Sequence, residues 1–130
     1  MAVTSQTIQD GDRIAVMKFT NISGGSSNED SVTKVDVSAL QAESGTGKTC
    51  TGVTIQQIWY DCSGMTVDIL WSASTDAICW TLSGYGFYDF RQAGPLTNNA
   101  SSPTGDIDFT TTGASSGDRY TIMLAMRKSY

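Results

Sequence analysis

Between Val53 and Leu82 the chain reads VTIQQIWYDCSGMTVDILWSASTDAICWTL, a stretch that carries all three tryptophans and two runs with apolar side chains at alternate positions. A period of two belongs to strands, whose successive side chains point to opposite faces; a helix face would repeat at three and four. Cys62-Ser63-Gly64 between the runs reads as a three-residue hairpin loop, with Gly64 in the left-handed conformation. That loop sets Val53, Ile55, Gln57 and Trp59 opposite Ala73, Trp71, Ile69 and Val67, so Trp59 and Trp71 are expected on one dry face that joins two sheets.

Composition extends the strand reading to the whole chain. Eleven of the thirteen acids are Asp, and Glu and Lys, the usual material of surface helices, are scarce. Asp, Gly, Ser, Thr and Asn, with alternating Val, Ile, Trp and Tyr, favour short strands and turns. Further strands are expected over 13–21, 31–38, 77–82, 84–90, 106–112 and 119–128. Ile78, Trp80 and Leu82 are placed on one face, and Val32, Lys34 and Asp36 on one face. Tyr120, Ile122, Leu124 and Met126 are set inward on a central strand. Residues 91–105 hold both prolines and read as the longest loop. The expected fold is all-β, an antiparallel two-sheet sandwich in the form of a jelly roll of about eight strands. Residues 1–12 read as an N-terminal arm and 13–130 as a single β-sandwich domain.

Several function classes are excluded at this level. A net charge of −5 with eight scattered Lys and Arg offers no basic stripe for nucleic acid or anionic membrane. The chain has no histidine, which removes the commonest general base and most zinc sites, and no charged-then-apolar leader precedes the three cysteines, Cys50, Cys62 and Cys79. They are expected as reduced thiols. The sequon Asn21-Ile22-Ser23 is expected to be idle. Ala42-Glu43-Ser44-Gly45-Thr46-Gly47-Lys48-Thr49 departs from a phosphate-binding loop only at Ala42, but residues 50–60 alternate as a strand where the motif needs a helix N-terminus. It is read as an interstrand loop. Asp106 and Asp108 share one strand face, where carboxylates can hold calcium or serve glycoside hydrolysis, although solvent-facing strand positions explain them more simply. No catalytic residue, cofactor or metal is assigned.

Binding surfaces remain. Trp71 is assigned to the core, while Tyr85, Phe87, Tyr88 and Phe90 are divided between core and interface. The candidate interface comprises Val3 and Ile8 of the arm, Tyr85, Phe87 and Tyr88, and Pro95, Leu96, Asn98 and Asn99 of the long loop.

The phrases DSVTKVDVSAL, IWYDCSGMTVDILWSASTD, YDF, GPLTNNA and TGDIDFTT, in this order and spacing, resemble small virion structural proteins of tailed bacteriophages, marine and cyanobacterial phages especially. The resemblance spans nearly the whole chain. It implies a particle component without enzymatic activity, made in the host cytoplasm: a capsid decoration or cement protein, a homotrimer bound to the outside of the major capsid protein shell. The alternative is a neck, tail or fibre module, a receptor- or glycan-binding β-sandwich of the same kind of particle.

Overall fold

The alternating segments form strands throughout the computed structural model, which describes residues 2–25 and 28–130. In chain order they are β1 (Ala2–Asp10), β2 (Ile14–Ile22), β3 (Val32–Val35), β4 (Gly52–Ser63), β5 (Thr66–Ala73), β6 (Ala77–Leu82), β7 (Tyr85–Asp89), β8 (Pro103–Thr112) and β9 (Arg119–Ser129), with one 3-10 turn at Val37–Ala39. Two antiparallel sheets result, a five-stranded one in the order β1-β2-β9-β4-β7 and a four-stranded one in the order β3-β8-β5-β6. From β2 to β9 every connection except β5–β6 crosses between the sheets, as in a jelly roll, and β1 adds to the edge beside β2. The long loop is shorter than its composition suggests, because Pro103 occupies the first position of β8, where the missing N–H costs no ladder bond.

Apolar residues from both inner faces fill the space between the sheets. Phe19 of β2 meets Phe109 of β8 edge-on, with centroids 5.2 Å apart, and Trp71, Ile69, Ile107, Ile122, Leu124 and Met126 are fully buried around them. Each such side chain contributes roughly 1.5–3 kcal/mol by leaving water. As expected, β9 lies at the centre of its sheet with Tyr120, Ile122, Leu124 and Met126 inward.

Four expectations need correcting. First, β4 and β5 are not a hairpin. Both edges of β4 are taken by β9 and β7, and both edges of β5 by β6 and β8. Gly64 does adopt φ 81°, but it turns the chain from one sheet to the other. Alternation identifies the buried face of a strand and says nothing about which strand lies alongside it.

Second, the N-terminal arm is a strand. Residues 2–10 pair with β2 from Ala2↔Ile22 to Asp10↔Ala15. The far end is pinned by Lys128, whose buried Nζ donates to Asp10 Oδ1 at 2.5 Å, Gly11 O at 2.8 Å and Gln41 O at 2.9 Å. Third, bulges break two assumed alternations. A register shift between Ile69 and Leu70 against β6 leaves Trp80 and Leu82 inward but turns Ile78 out, 61% exposed. A shift between Thr33 and Val35 on β3 brings Val35 to the inner side together with Lys34, which follows Val32, the partner of core Phe109, on that side. Fourth, Asp108 is not solvent-facing: it is buried, its Oδ1 has no well-formed hydrogen bond among the described residues, and burial raises its carboxyl pKa, partly offset by Thr33 and Ser72.

Candidate functional site

The outward side of the five-stranded sheet gathers the aromatic surface of the molecule, and a bulge in β4 creates it. Against β9, the register slips between Ile55 and Gln57, so that Gln56 and Gln57 together occupy one place in the ladder. Val53 and Ile55 face the core before the slip, and Ile58 and Cys62 face it after. Trp59 and Asp61 therefore point outward, which corrects the placement of Trp59 beside Trp71 on the dry face.

Register then aligns a row of outward side chains across four strands. Lys18 of β2 lies beside Met123 of β9, Met123 beside Trp59 of β4, and Trp59 beside Phe87 of β7. Strands spaced by about 4.8 Å make this row about 14 Å long. The next row toward one end is Thr20, Thr121, Asp61 and Tyr85; toward the other it is Val16, Ala125, Gln57 and Asp89. The rings of Trp59 and Phe87 stack with centroids 5.1 Å apart and an interplanar angle of 23°. Phe87 is 49% and Tyr85 85% exposed, while Trp59 is half-buried between its neighbours. Lys18, Trp59, Asp61, Tyr85, Phe87 and Met123 line a shallow depression of about 700 Å³.

Polar groups frame the rings. Arg91 holds Asp89 bidentately, Nε to Oδ1 at 3.0 Å and Nη2 to Oδ2 at 2.9 Å, which keeps the Asp89 carboxyl down at about 2. On the underside of the same sheet, hydrogen bonding with Tyr88, then burial, pushes the Tyr60 phenol up to about 12. Both groups move away from the neutral range in which a general acid or base operates. What the face offers is a flat apolar stack ringed by an ammonium, carboxylates, a guanidinium, an amide and hydroxyls.

Residues 85–90 divide between the two sides of β7. Tyr85 and Phe87 point outward. Tyr88 and Phe90 turn to the other side, where Trp80 meets Tyr88 edge-on at 5.2 Å and Phe90 at 5.0 Å, and Tyr60 stacks on Tyr88 at 5.6 Å, with Tyr88 still 39% exposed. This second cluster closes the gap between β6 and β7. Gly86 makes it possible: a Cβ there would lie 2.8 Å from the Tyr60 hydroxyl, so glycine leaves room for the ring beneath β7.

The other sequence-derived interface residues lie elsewhere. Val3 and Ile8, 40% and 51% exposed, sit on β1, which β2, β9 and β4 separate from β7. Pro95 and Asn99 are exposed on the long loop, whereas Leu96 exchanges backbone hydrogen bonds with Ile55 at 3.0 and 2.9 Å and packs on the core. Asn98 Oδ1 accepts from the Ala100 N–H. Trp59, Met123, Lys18, Asp61 and Gln57 were missed as site residues. Their signal is the skip in apolar spacing at Val53, Ile55 and Ile58, which marks a bulge.

The loop 42–49 is bound to itself by Glu43 N–H to Lys48 O at 2.9 Å and is followed by β4, without a helix. Asp106 Oδ1 accepts from the Val37 N–H at 3.0 Å, and among the described residues no cluster of three or more His, Cys, Asp or Glu could hold a metal. Asn21 of the sequon is 1% exposed. The three cysteines are free thiols, with Cys62 pushed up to about 11 and Cys79 to about 12 by burial. No helix among the described residues is long and apolar enough to cross a membrane.

No protein-family model matches the chain, and no curated protein does. Among solved structures it is similar to a family 29 carbohydrate-binding module at 14% identity and a TM-score of 0.48, covering 98% of this chain and 90% of that one. A second family 29 module, in complex with cellulohexaose, matches at 15% identity and 0.48, covering 97% and 91%. A cupin domain from Bordetella pertussis Tohama I matches at 9% identity and 0.40, covering 98% and 94%.

Proposed function

We propose that this protein is a non-catalytic binding module whose ligand is a neutral glycan laid along the row Lys18, Met123, Trp59 and Phe87. The observation that carries the reading is the Trp59–Phe87 stack on an open sheet face, with polar groups on every side. The apolar face of a pyranose lies flat on an aromatic ring, and its equatorial hydroxyls then point sideways. Here Lys18, Asp61, Gln57 and the Asp89–Arg91 pair wait at the sides. Protein partners of comparable affinity bury a broad, dry core, whereas this patch is narrow and interleaved with charge. Within the particle suggested by the resemblance to phage virion proteins, such a face belongs to a tail, neck or fibre position that meets the cell surface.

Affinity electrophoresis against a panel of neutral polysaccharides tests the proposal. Retardation by at least one polymer is expected, with Trp59→Ala and Phe87→Ala each weakening it at least tenfold, about 1.4 kcal/mol. Retardation unchanged in both variants, or none on any polymer, would remove the glycan face.

One observation favours the shell-binding alternative. The outer edge of β1 runs from Ala2 to Thr7 without a charge, proline or bulge, devices that normally blunt a free edge. A capsid protein could add a strand there. Co-sedimentation with major-capsid shells, lost in Thr4→Lys/Gln6→Lys, is the expected result of that role; no co-sedimentation of the wild type would rule against it.

A further inference from the structure

On the inner face of the same strands that carry the platform, the sandwich holds a polar cluster that glycan binding does not use. Lys34, inward at the β3 bulge, and Glu29 are buried, each side chain 3% exposed, with Lys34 Nζ 2.5 Å from Glu29 Oε1. The same ammonium lies 6.0 Å from the centroid of the Phe109 ring. The Tyr120 hydroxyl donates to Glu29 Oε2 at 2.8 Å, and burial followed by Glu29 raises the Tyr120 pKa. Asn21, the register partner of Tyr120 on β2, is 1% exposed. Its amide acts on the Tyr120 phenol in the lowering direction, against burial and Glu29, yet neither Nδ2 nor Oδ1 has a well-formed hydrogen bond among the described residues.

Burying an ion pair beside an unsatisfied amide is unfavourable on both counts. The same cluster holds an amine nucleophile in contact with a carboxylate, and a carboxamide beside the tyrosine that donates to that carboxylate, in an apolar, aromatic setting. We propose that Lys34 and Asn21 become joined by an isopeptide bond formed by the chain itself, with Glu29 as the proton-transfer group.

Glu29 takes one proton from the Lys34 ammonium, and the neutral Nζ attacks Cγ of Asn21. A second Nζ proton passes through the carboxyl group to Nδ2. The Cγ–Nδ2 bond then breaks and ammonia leaves. One proton stays on the new amide nitrogen, and Glu29 ends as the neutral acid. No oxidant or other reactant is needed. Fixed proximity replaces activation of the amide, and loss of ammonia to solvent drives the step forward. The product exchanges a buried ion pair for a neutral amide that Glu29 and Tyr120 can hydrogen-bond. It also ties β2 of one sheet to β3 of the other.

Mass spectrometry of the denatured full chain tests this independently of any ligand. The wild type is expected to be lighter than its sequence by one ammonia. Trypsin is expected to leave the bond after Lys34 uncut, giving a peptide of residues 19–48 with the same deficit. Glu29→Gln should regain the ammonia and release residues 19–34. A wild-type chain at its sequence mass overturns the proposal, whatever the variant does. An ammonia deficit with normal cleavage after Lys34 also overturns it, because that pattern marks a succinimide. A link that persists in Glu29→Gln overturns the assigned chemistry.

Discussion

Trp59 and Trp71 belong to the same residue type and take opposite places in the molecule. Trp71 is 1% exposed between the sheets, and Trp71→Ala should cost about 3–5 kcal/mol in denaturant unfolding. Trp59→Ala removes an outward ring and should change stability by less than about 1 kcal/mol while weakening glycan binding. An equal loss of stability in the two variants would mean that Trp59 is a core residue. The place of Trp71 was legible in the alternation Val67, Ile69, Trp71. That of Trp59 was not, because period-two counting carries a strand's facing forward unchanged and one inserted residue inverts it. Ile78 was misplaced, and Val35 was set on the face opposite Lys34, for the same reason. Asp108 failed differently: its burial depends on what packs over an outer face, which local spacing does not encode.

At the scale of elements, nearly every strand of the jelly roll can be read from alternation and turn residues. Their partners cannot, since β4 and β5 are joined by only Gly64 and Met65 yet lie in different sheets. The bulge in β4 is where the inward set passes from Ile55 to Ile58 and Trp59 is set outward. Because Gln56 is the inserted residue, deleting it would pair Gln57 directly after Ile55 and leave Ile58 and Cys62 inward and Trp59 and Asp61 outward. The expected result is retained cooperative unfolding, with a midpoint change equivalent to less than about 3 kcal/mol, and retained glycan binding. A deletion variant that loses cooperative unfolding or glycan binding would contradict this register. The N-terminal segment shows the reverse limit: its polar, uncharged sequence looked loose, and only pairing with β2 and the buried Lys128–Asp10 contact make it a strand.

For the whole molecule, the two-layer β architecture followed from composition because few residues suit a surface helix, and the sandwich leaves two outer faces with different chemistry. The four-stranded sheet turns out Thr33, Asp68, Thr81 and Thr110, together with Leu70 and Ile78. The five-stranded sheet turns out the aromatic row. Legibility of the site was partial for this reason: Tyr85 and Phe87 were identifiable from the density of aromatics in 85–90, but their companions come from three other strands aligned only by register. The central claim is that this row binds sugar through the Trp59–Phe87 stack. Its most direct test is intrinsic tryptophan fluorescence during titration with a neutral oligosaccharide drawn from any polymer that retards the protein. The account predicts a saturable change in the wild type that disappears in Trp59→Ala, with Trp71 and Trp80 still emitting. A saturable change of the same size in Trp59→Ala, or none in the wild type at saturating sugar, would contradict it.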